Sequence, residues 1–428
     1  MGDYLFTNVR ILDGSGDHPF TGEVLVQGNR IKQVSRGGRS GLGSGHTVID
    51  GAGATLMPGM TEAHTHLSWN DQPSLEAIQQ MPPEEHTLFT AEMAKRYIEM
   101  GFTSCMGAAS AKARLDVVIR DAINQGRIPG PRYSAASQEI TTLGGLGDTS
   151  PPHLEFPELS FGCIVSGVEE MRRAVRQFIK YGCDTIKLNL SGEEIAGVGA
   201  EETPMTDEEA AVAVSEAKRR GLRVAAHARS NESIKMCIRH GIEIIYHASF
   251  ADEETLDLLE ANKDKHFVAP GLAWLIRTSK NAAEYGVHPD SSLGMMYARE
   301  AEIATETMRK MHRRGIRVLP GGDYGFAWIP HGTNAKDLEY FVDLVGMSPM
   351  EAIVSATKMG GQIMGKPDEL GLVKDGYLAD LILVDGDPLA NIRILQERQR
   401  ILAVMKDGSF HRAPDVTAQG RSSLRWAG

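Results

Sequence analysis

The chain has 428 residues, of which 42% are hydrophobic and 24% charged, and a formal net charge of −11. This is enough chain for one large domain of about 250–300 residues and a smaller companion. No apolar run reaches the roughly 18 residues that a membrane span needs, and the acidic balance comes without a clustered Lys/Arg run, so neither membrane nor nucleic acid is an expected partner.

The chain runs from Met1 directly into strand-like sequence, with no basic segment ahead of an apolar core, so a secretory leader is not expected and the default compartment is the cytoplasm. Short β-like runs broken by glycine at 4–12, 23–34 and 47–49 predict a small β unit. From about residue 56 to 365, apolar strand-like runs alternate with helical patterns. Eight strands are predicted, at 56–67, 103–108, 132–137, 185–190, 223–228, 242–248, 266–271 and 317–322. Helical stretches such as Lys218-Arg219-Arg220-Gly221 and Arg239-His240-Gly241 close on basic residues and glycine, a helix stop signal. Eight β/α units in about 300 residues predict an α/β fold of the (β/α)8 TIM-barrel type, with catalytic side chains at the C-terminal strand ends. The irregular stretches 138–160 and 191–206 are predicted active-site loops. Strand-like runs return at 371–374, 378–384 and 401–406. Residues 1–55 and 366–428 are therefore expected to form one composite β-sandwich domain beside a barrel of residues 56–365. Cys105, Cys163, Cys183 and Cys237 form no CxxC pair, which argues for reduced core thiols rather than disulfides or a cysteine metal site.

Five short motifs would each end a strand with a metal-ligand side chain. In Ala63-His64-Thr65-His66, residues i and i+2 share a strand face, so His64 and His66 can point at one ion. Lys187 interrupts the central-strand pattern Thr185-Ile186-Lys187-Leu188-Asn189. A buried lysine is costly unless neutralised: it either pairs with a carboxylate such as Asp184 or Glu193, or reacts with carbon dioxide to give N6-carboxylysine, an anionic bridge between two cations. His227 and His247 close runs twenty residues apart, one β/α unit, and Asp323 follows Gly321-Gly322 at the last strand. Two divalent ions about 3.5–4 Å apart share a bridging water, lower its pKa and polarise a carbonyl. In that scheme His64, His66 and Asp323 hold one ion, His227 and His247 the other, and carboxylated Lys187 bridges them. Asp323 would also be the catalytic proton carrier. Zinc suits this nitrogen/oxygen set best, although manganese, cobalt and iron also accept it.

The order HxH, Lys, His, His, Asp on a barrel with a split β unit resembles the amidohydrolase superfamily. It is similar in particular to the two-metal branch of prolidase-like and arginine-type dipeptidases, ochratoxinase-like enzymes and relatives of imidazolonepropionase. The segment 379–389 is similar to that family's return segment, and 346–353 adds to the resemblance. The resemblance implies hydrolysis of the C–N bond of a small-molecule amide: an N-acyl amino acid, dipeptide, aryl amide or urea-like compound, attacked by a metal-bridging hydroxide. The same site also suits cyclic amides of the imidazolone type, carbamates or esters, and an inactive metal-binding scaffold is a third reading. A homo-oligomer is implied as well, although no interface patch is legible in the sequence.

Departures from the pattern fall on substrate contacts. Leu146 stands in Gly144-Gly145-Leu146-Gly147 where relatives often carry histidine, Arg229 where dipeptidase-like members carry tyrosine, and Tyr246 where a glutamate is usual. Arg229 either grips a substrate carboxylate bidentately or lies in a solvent-exposed ion pair. His331 either anchors the last loop or reaches substrate. Trp69, Trp274, Tyr324 and Trp328 fall near predicted strand ends, where they suit an apolar or aromatic group or pack the loops.

Overall fold

The computed structural model describes residues 2–37, 45–153, 158 and 160–414. Five strands open the chain: β1 (Tyr4–Ile11), β2 (Phe20–Gln27), β3 (Arg30–Arg36), β4 (Thr47–Asp50) and β5 (Thr55–Pro58). Nine strands follow, most of them separated by helices: β6 (Met60–Thr65), β7 (Phe102–Gly107), β8 (Arg132–Ser134), β9 (Ala136–Thr142), β10 (Cys163–Val165), β11 (Thr185–Asn189), β12 (Arg223–Ala228), β13 (Ile244–His247) and β14 (Phe267–Ala269). The chain closes on β15 (Leu381–Val384), β16 (Ile401–Lys406) and β17 (Ser409–Arg412).

Both chain ends enter one eight-stranded sheet of order β17-β16-β15-β5-β1-β2-β3, with β4 beside β1. The joint is β5, parallel to β1 on one side and antiparallel to β15 on the other. The sheet curls back on itself, so that Ala379 N donates to Asn29 O at 2.9 Å and Ile31 N to Tyr377 O at 2.8 Å. Phe6, Val24, Val26, Leu56, Leu381, Leu383 and Met405 fill the space it encloses. The run expected as a strand at 371–374 is irregular, and its Val373 N is drawn to Asp13 O instead.

The middle of the chain is a mixed α/β arrangement of parallel strands in two sheets, β6-β7-β8 and β10-β9-β11-β12-β13-β14. These strands are largely buried on both faces, which is why they read as apolar runs rather than alternating ones. The helices between them carry the expected stop signals: helix Asn231–His240 ends at Gly241 with φ 67, and helix Val168–Tyr181 at Gly182 with φ 92. The predicted strand 317–322 makes only an isolated bridge between Val318 and Val268. Pro320 has no N–H to offer, but its carbonyl accepts from Ala63 N at 3.0 Å, while Leu319 N donates to Val268 O at 2.9 Å. The four cysteines are free thiols. Among the described residues, no helix is long and apolar enough to cross a membrane.

The single strand expected at 56–67 is in fact two, β5 in the chain-end sheet and β6 in the parallel sheet, with Gly59 at the crossing. A Cβ on Gly59 would lie 2.1 Å from Thr103 Oγ1 and 2.7 Å from Thr103 Cβ, so only glycine lets the chain pass β7. Gly59→Ala is therefore expected to destabilise the protein by about 2 kcal/mol through overpacking, read as a lowered urea midpoint with unchanged slope.

Candidate active site

β6 carries His64 and, one residue past its end, leads into His66, each 1% exposed. His66 Nδ1 donates to Ala109 O at 3.1 Å, leaving the Nε2 lone pair facing Asp323 Oδ1 at 3.0 Å. Two acceptors this close call for a cation between them. His64 Nε2 lies 3.5 Å from the same oxygen, and the buried Nδ1 atoms of His64 and His247 have no hydrogen-bond partner among the described residues. Ligand atoms of His64, His247 and Asp323 lie within 4.8 Å of one another, so this donor set fits a divalent metal ion.

The backbone is bent to make this cluster. His247 and Asp323 both sit in the left-handed region, at φ 73 and φ 64, a conformation that non-glycine residues keep only when their surroundings impose it. Gly271 supplies the room, since a Cβ there would lie 2.9 Å from His247 Nδ1. From β12, His227 donates through Nε2 to Gly192 O at 2.9 Å. Burial pulls His64, His227 and His247 well below the ordinary imidazole range, which leaves them neutral and able to ligate. Burial pushes the Asp323 carboxyl up, but the positive side of the cluster, Arg229 included, outweighs it and holds the group ionised, below the usual carboxylate range.

Lys187, on β11, is 1% exposed. Its partner is neither of the carboxylates expected: Asp184 pairs with Arg120 at 2.7 Å, and Glu193 with Arg229. Lys187 Nζ instead lies 3.7 Å from Glu139 Oε1 and 3.1 Å from Asn189 Oδ1. Burial pulls the amine down, against the opposing pull of Glu139 and Asp323, and so enriches its neutral, nucleophilic form. Glu139 escaped the sequence reading because 138–160 reads as a loop, whereas β9 continues through Thr142.

Two further acids escaped it. Glu62 Oε1 accepts from Gly322 N at 3.2 Å and so ties β6 to the backbone next to Asp323. Burial pushes Glu62 and Asp337 up to about 8 each. The signal for Glu62 was a charged residue inside an apolar strand, two positions before His64.

A cavity of about 100 Å³, partly open to solvent, lies over these groups and is lined by His64, His66, Glu139, Lys187, His227, His247 and Asp323. Of the eight residues expected near substrate, Leu146, Trp69 and Trp274 line it, and the two indoles form an aromatic wall with Phe326. Tyr246 stacks on His64 at 4.0 Å, behind the ligands. His331 donates through Nε2 to Trp69 O at 2.7 Å and accepts from Tyr97 Oη at 2.9 Å, which makes it a loop anchor. Trp328 donates to Thr278 Oγ1 at 2.9 Å, and Tyr324 is buried against Asn334 and Asp337. Arg229 lies in an ion pair, but one that is buried rather than solvent-exposed. It is 0% exposed and gripped by Glu193 and Glu300, while Tyr297 donates to Glu193 and Ser249 to Glu300, both at 2.6 Å.

Residues 55–410 match the model of the amidohydrolase family. The chain belongs to that family. The amidohydrolase is 27% identical to ochratoxinase of Aspergillus niger over 395 residues, covering 86% of this chain and 78% of that protein. It superposes on a Xaa-Pro dipeptidase with bound methionine in the active site with a TM-score of 0.86 at 29% identity, covering 96% of this chain and 100% of the other. The crystal structure of A. niger ochratoxinase shares the fold, with a TM-score of 0.82 at 23% identity over 97% of each chain. The amidohydrolase is thus a hydrolase acting on carbon–nitrogen bonds, in the prolidase- and ochratoxinase-like branch.

Removing Arg229 would leave Glu193 and Glu300 buried without a counter-charge. Arg229→Ala is expected to destabilise this amidohydrolase by about 3 kcal/mol at pH 8. Glu193, pushed up to about 7 by burial against the opposing pull of Arg229, would then titrate higher still, so the deficit is present at high pH and shrinks as pH falls through its folded pKa. Urea unfolding of variant and parent at pH 8 and pH 5.5 checks this, and a deficit that grows at the lower pH contradicts it.

Proposed function

We propose that the protein is a two-metal amidohydrolase that cleaves the amide bond of an N-acyl amino acid, dipeptide, aryl amide or urea-like compound. The convergence of His64, His247 and Asp323, buried lone pairs without proton donors to satisfy them, carries this reading. His64, His66 and Asp323 would hold one ion, and His227 and His247 the other, with carboxylated Lys187 between them. Divalent ions, zinc first among the candidates, supply Lewis acidity and ready water for attack at neutral pH.

The chain's own residues supply the rest. The Lys187 amine attacks the carbon of carbon dioxide and loses a proton, giving a carbamate in place of a buried cation. The lowered amine and its position in the same cavity as the histidines support this step. Asp323, ionised and fixed by its backbone, accepts the proton of the attacking water and delivers it to the leaving nitrogen. The aromatic wall holds the substrate and limits water.

We read the two parallel sheets as one closed (β/α)8 barrel, the scaffold on which strand ends gather a site. Support comes from the near-continuity of β8 and β9, and from the 318–320 segment, which hydrogen-bonds to β14 on one side and β6 on the other.

Metal analysis of the purified protein is expected to find about two divalent ions per chain. Lys187→Ala is expected to lower that content and abolish hydrolysis across a panel of N-acyl amino acids, dipeptides, anilides and phenylureas. One ion per chain together with full activity of Lys187→Ala would refute the bridging role. Asp323→Asn is expected to lower kcat by about 10³-fold with a smaller change in KM, as removal of a proton carrier does.

A further inference from the structure

Tyr297 belongs to the helix Ser292–Arg313, where its neighbours Met295 and Met296 are exposed, yet its own side chain is 0% exposed and its hydroxyl reaches the loop after β11. There the oxygen is used in both directions. It donates to Glu193 Oε1 at 2.6 Å and accepts from Ile195 N at 3.1 Å. Glu193 and Ile195 both line the cavity, so one hydroxyl pins a side chain and a backbone amide of the same wall.

The residue before Glu193 connects this clamp to the metal-ligand set. Gly192 O accepts from His227 Nε2 at 2.9 Å, which places the ring proton on Nε2 and leaves the Nδ1 lone pair for an ion. Up to Ser191 the backbone is held by its neighbouring strand: Leu190 N donates to His227 O at 3.0 Å, and Arg229 N to Ser191 Oγ at 2.8 Å. Gly192 N then turns to Glu202 O, at 3.2 Å within the same loop. Apart from the bond of His227 itself, the nearest bonds that hold this stretch from outside the loop are those of Arg229 to Glu193 and of Tyr297 to Glu193 and Ile195.

We propose that Tyr297 is a positioning residue for the metal ligand His227: by fixing Glu193 and Ile195 it holds the Gly192 carbonyl where that carbonyl orients the imidazole. This role rests on the two-metal reading above, in which His227 and His247 hold one ion while His64, His66 and Asp323 hold the other. Its effect therefore falls on one ion of the two. Arg229 shares the clamp but makes a poor probe, because its loss also strips two buried acids of their counter-charge.

Graded extraction of zinc from the metal-loaded protein by a chromophoric chelator reads how tightly each ion is held. Tyr297→Phe keeps the ring and removes only the oxygen. It is expected to weaken one ion about 10-fold, the lower end of what loss of a ligand's supporting contacts costs, and to leave the other unchanged. Tyr377→Phe controls for general loosening, since it removes a hydroxyl that donates to Pro367 O at 3.3 Å beside the chain-end sheet, and is expected to change neither ion. If Tyr297→Phe does not fold by circular dichroism, Glu193→Gln, which removes the carboxylate gripped by Tyr297 and Arg229, is read in the same way. Both ions held as tightly as in the parent, both weakened equally, or an equal loss in Tyr377→Phe overturns the positioning role. A parent protein that binds fewer than two ions instead defeats the two-metal reading beneath it.

Discussion

The interior of this protein has to hold an ionised carboxylate, a lysine amine and four imidazoles within one region almost closed to water. Asp323 faces the Nε2 atoms of His66 and His64 at 3.0 and 3.5 Å. In a low-dielectric interior such groups are tolerated only where each has a counterpart, and much of the surrounding structure provides one. Backbone strain at His247 and Asp323, the missing side chain of Gly271 and the bond from Gly322 N to Glu62 all hold the lone pairs in convergence. A divalent cation would be a fitting counterpart for this donor set.

Around this centre lies a layer of compensated charge that works on position rather than on substrate. Arg229 binds Glu193 from the loop after β11 and Glu300 from helix Ser292–Arg313, and so ties a wall of the cavity to the outer helices. Glu62 and Asp337 are buried acids pushed toward their neutral forms, able to donate as well as accept. The cavity wall thus sets the histidines, acids and Lys187 of the site against an aromatic patch of Trp69, Trp274 and Phe326.

Much of the fold was legible in the sequence because it is written in local periodicity. Period-two placement of His64 and His66, the glycine stops at Gly221 and Gly241, and apolar runs spaced one β/α unit apart are short-range features that no distant contact can reverse. Where expectation and structure differ, a long-range steric or pairing constraint intervened. Gly59 splits one predicted strand because Thr103 lies across its path, and Pro320 breaks the ladder of the last. The sequence of β9 is polar enough to read as loop, yet pairing with β11 makes it a strand and places Glu139 beside Lys187.

The sequence by itself determined which side chains could ligate a metal and in what order they arrive, because ligand chemistry belongs to residue type and strand ends follow from local pattern. Only the tertiary structure decided which groups face the cavity. Arg229 is withdrawn from substrate by Glu300, 71 residues away along the chain, and Lys187 is served by Glu139 rather than by its neighbours Asp184 and Glu193. Among the described residues the indole N–H of Trp328 finds Thr278, while those of Trp274 and Trp69 find no acceptor. Buried charges and donors choose partners by distance in space, and that distance is a property of the packed chain.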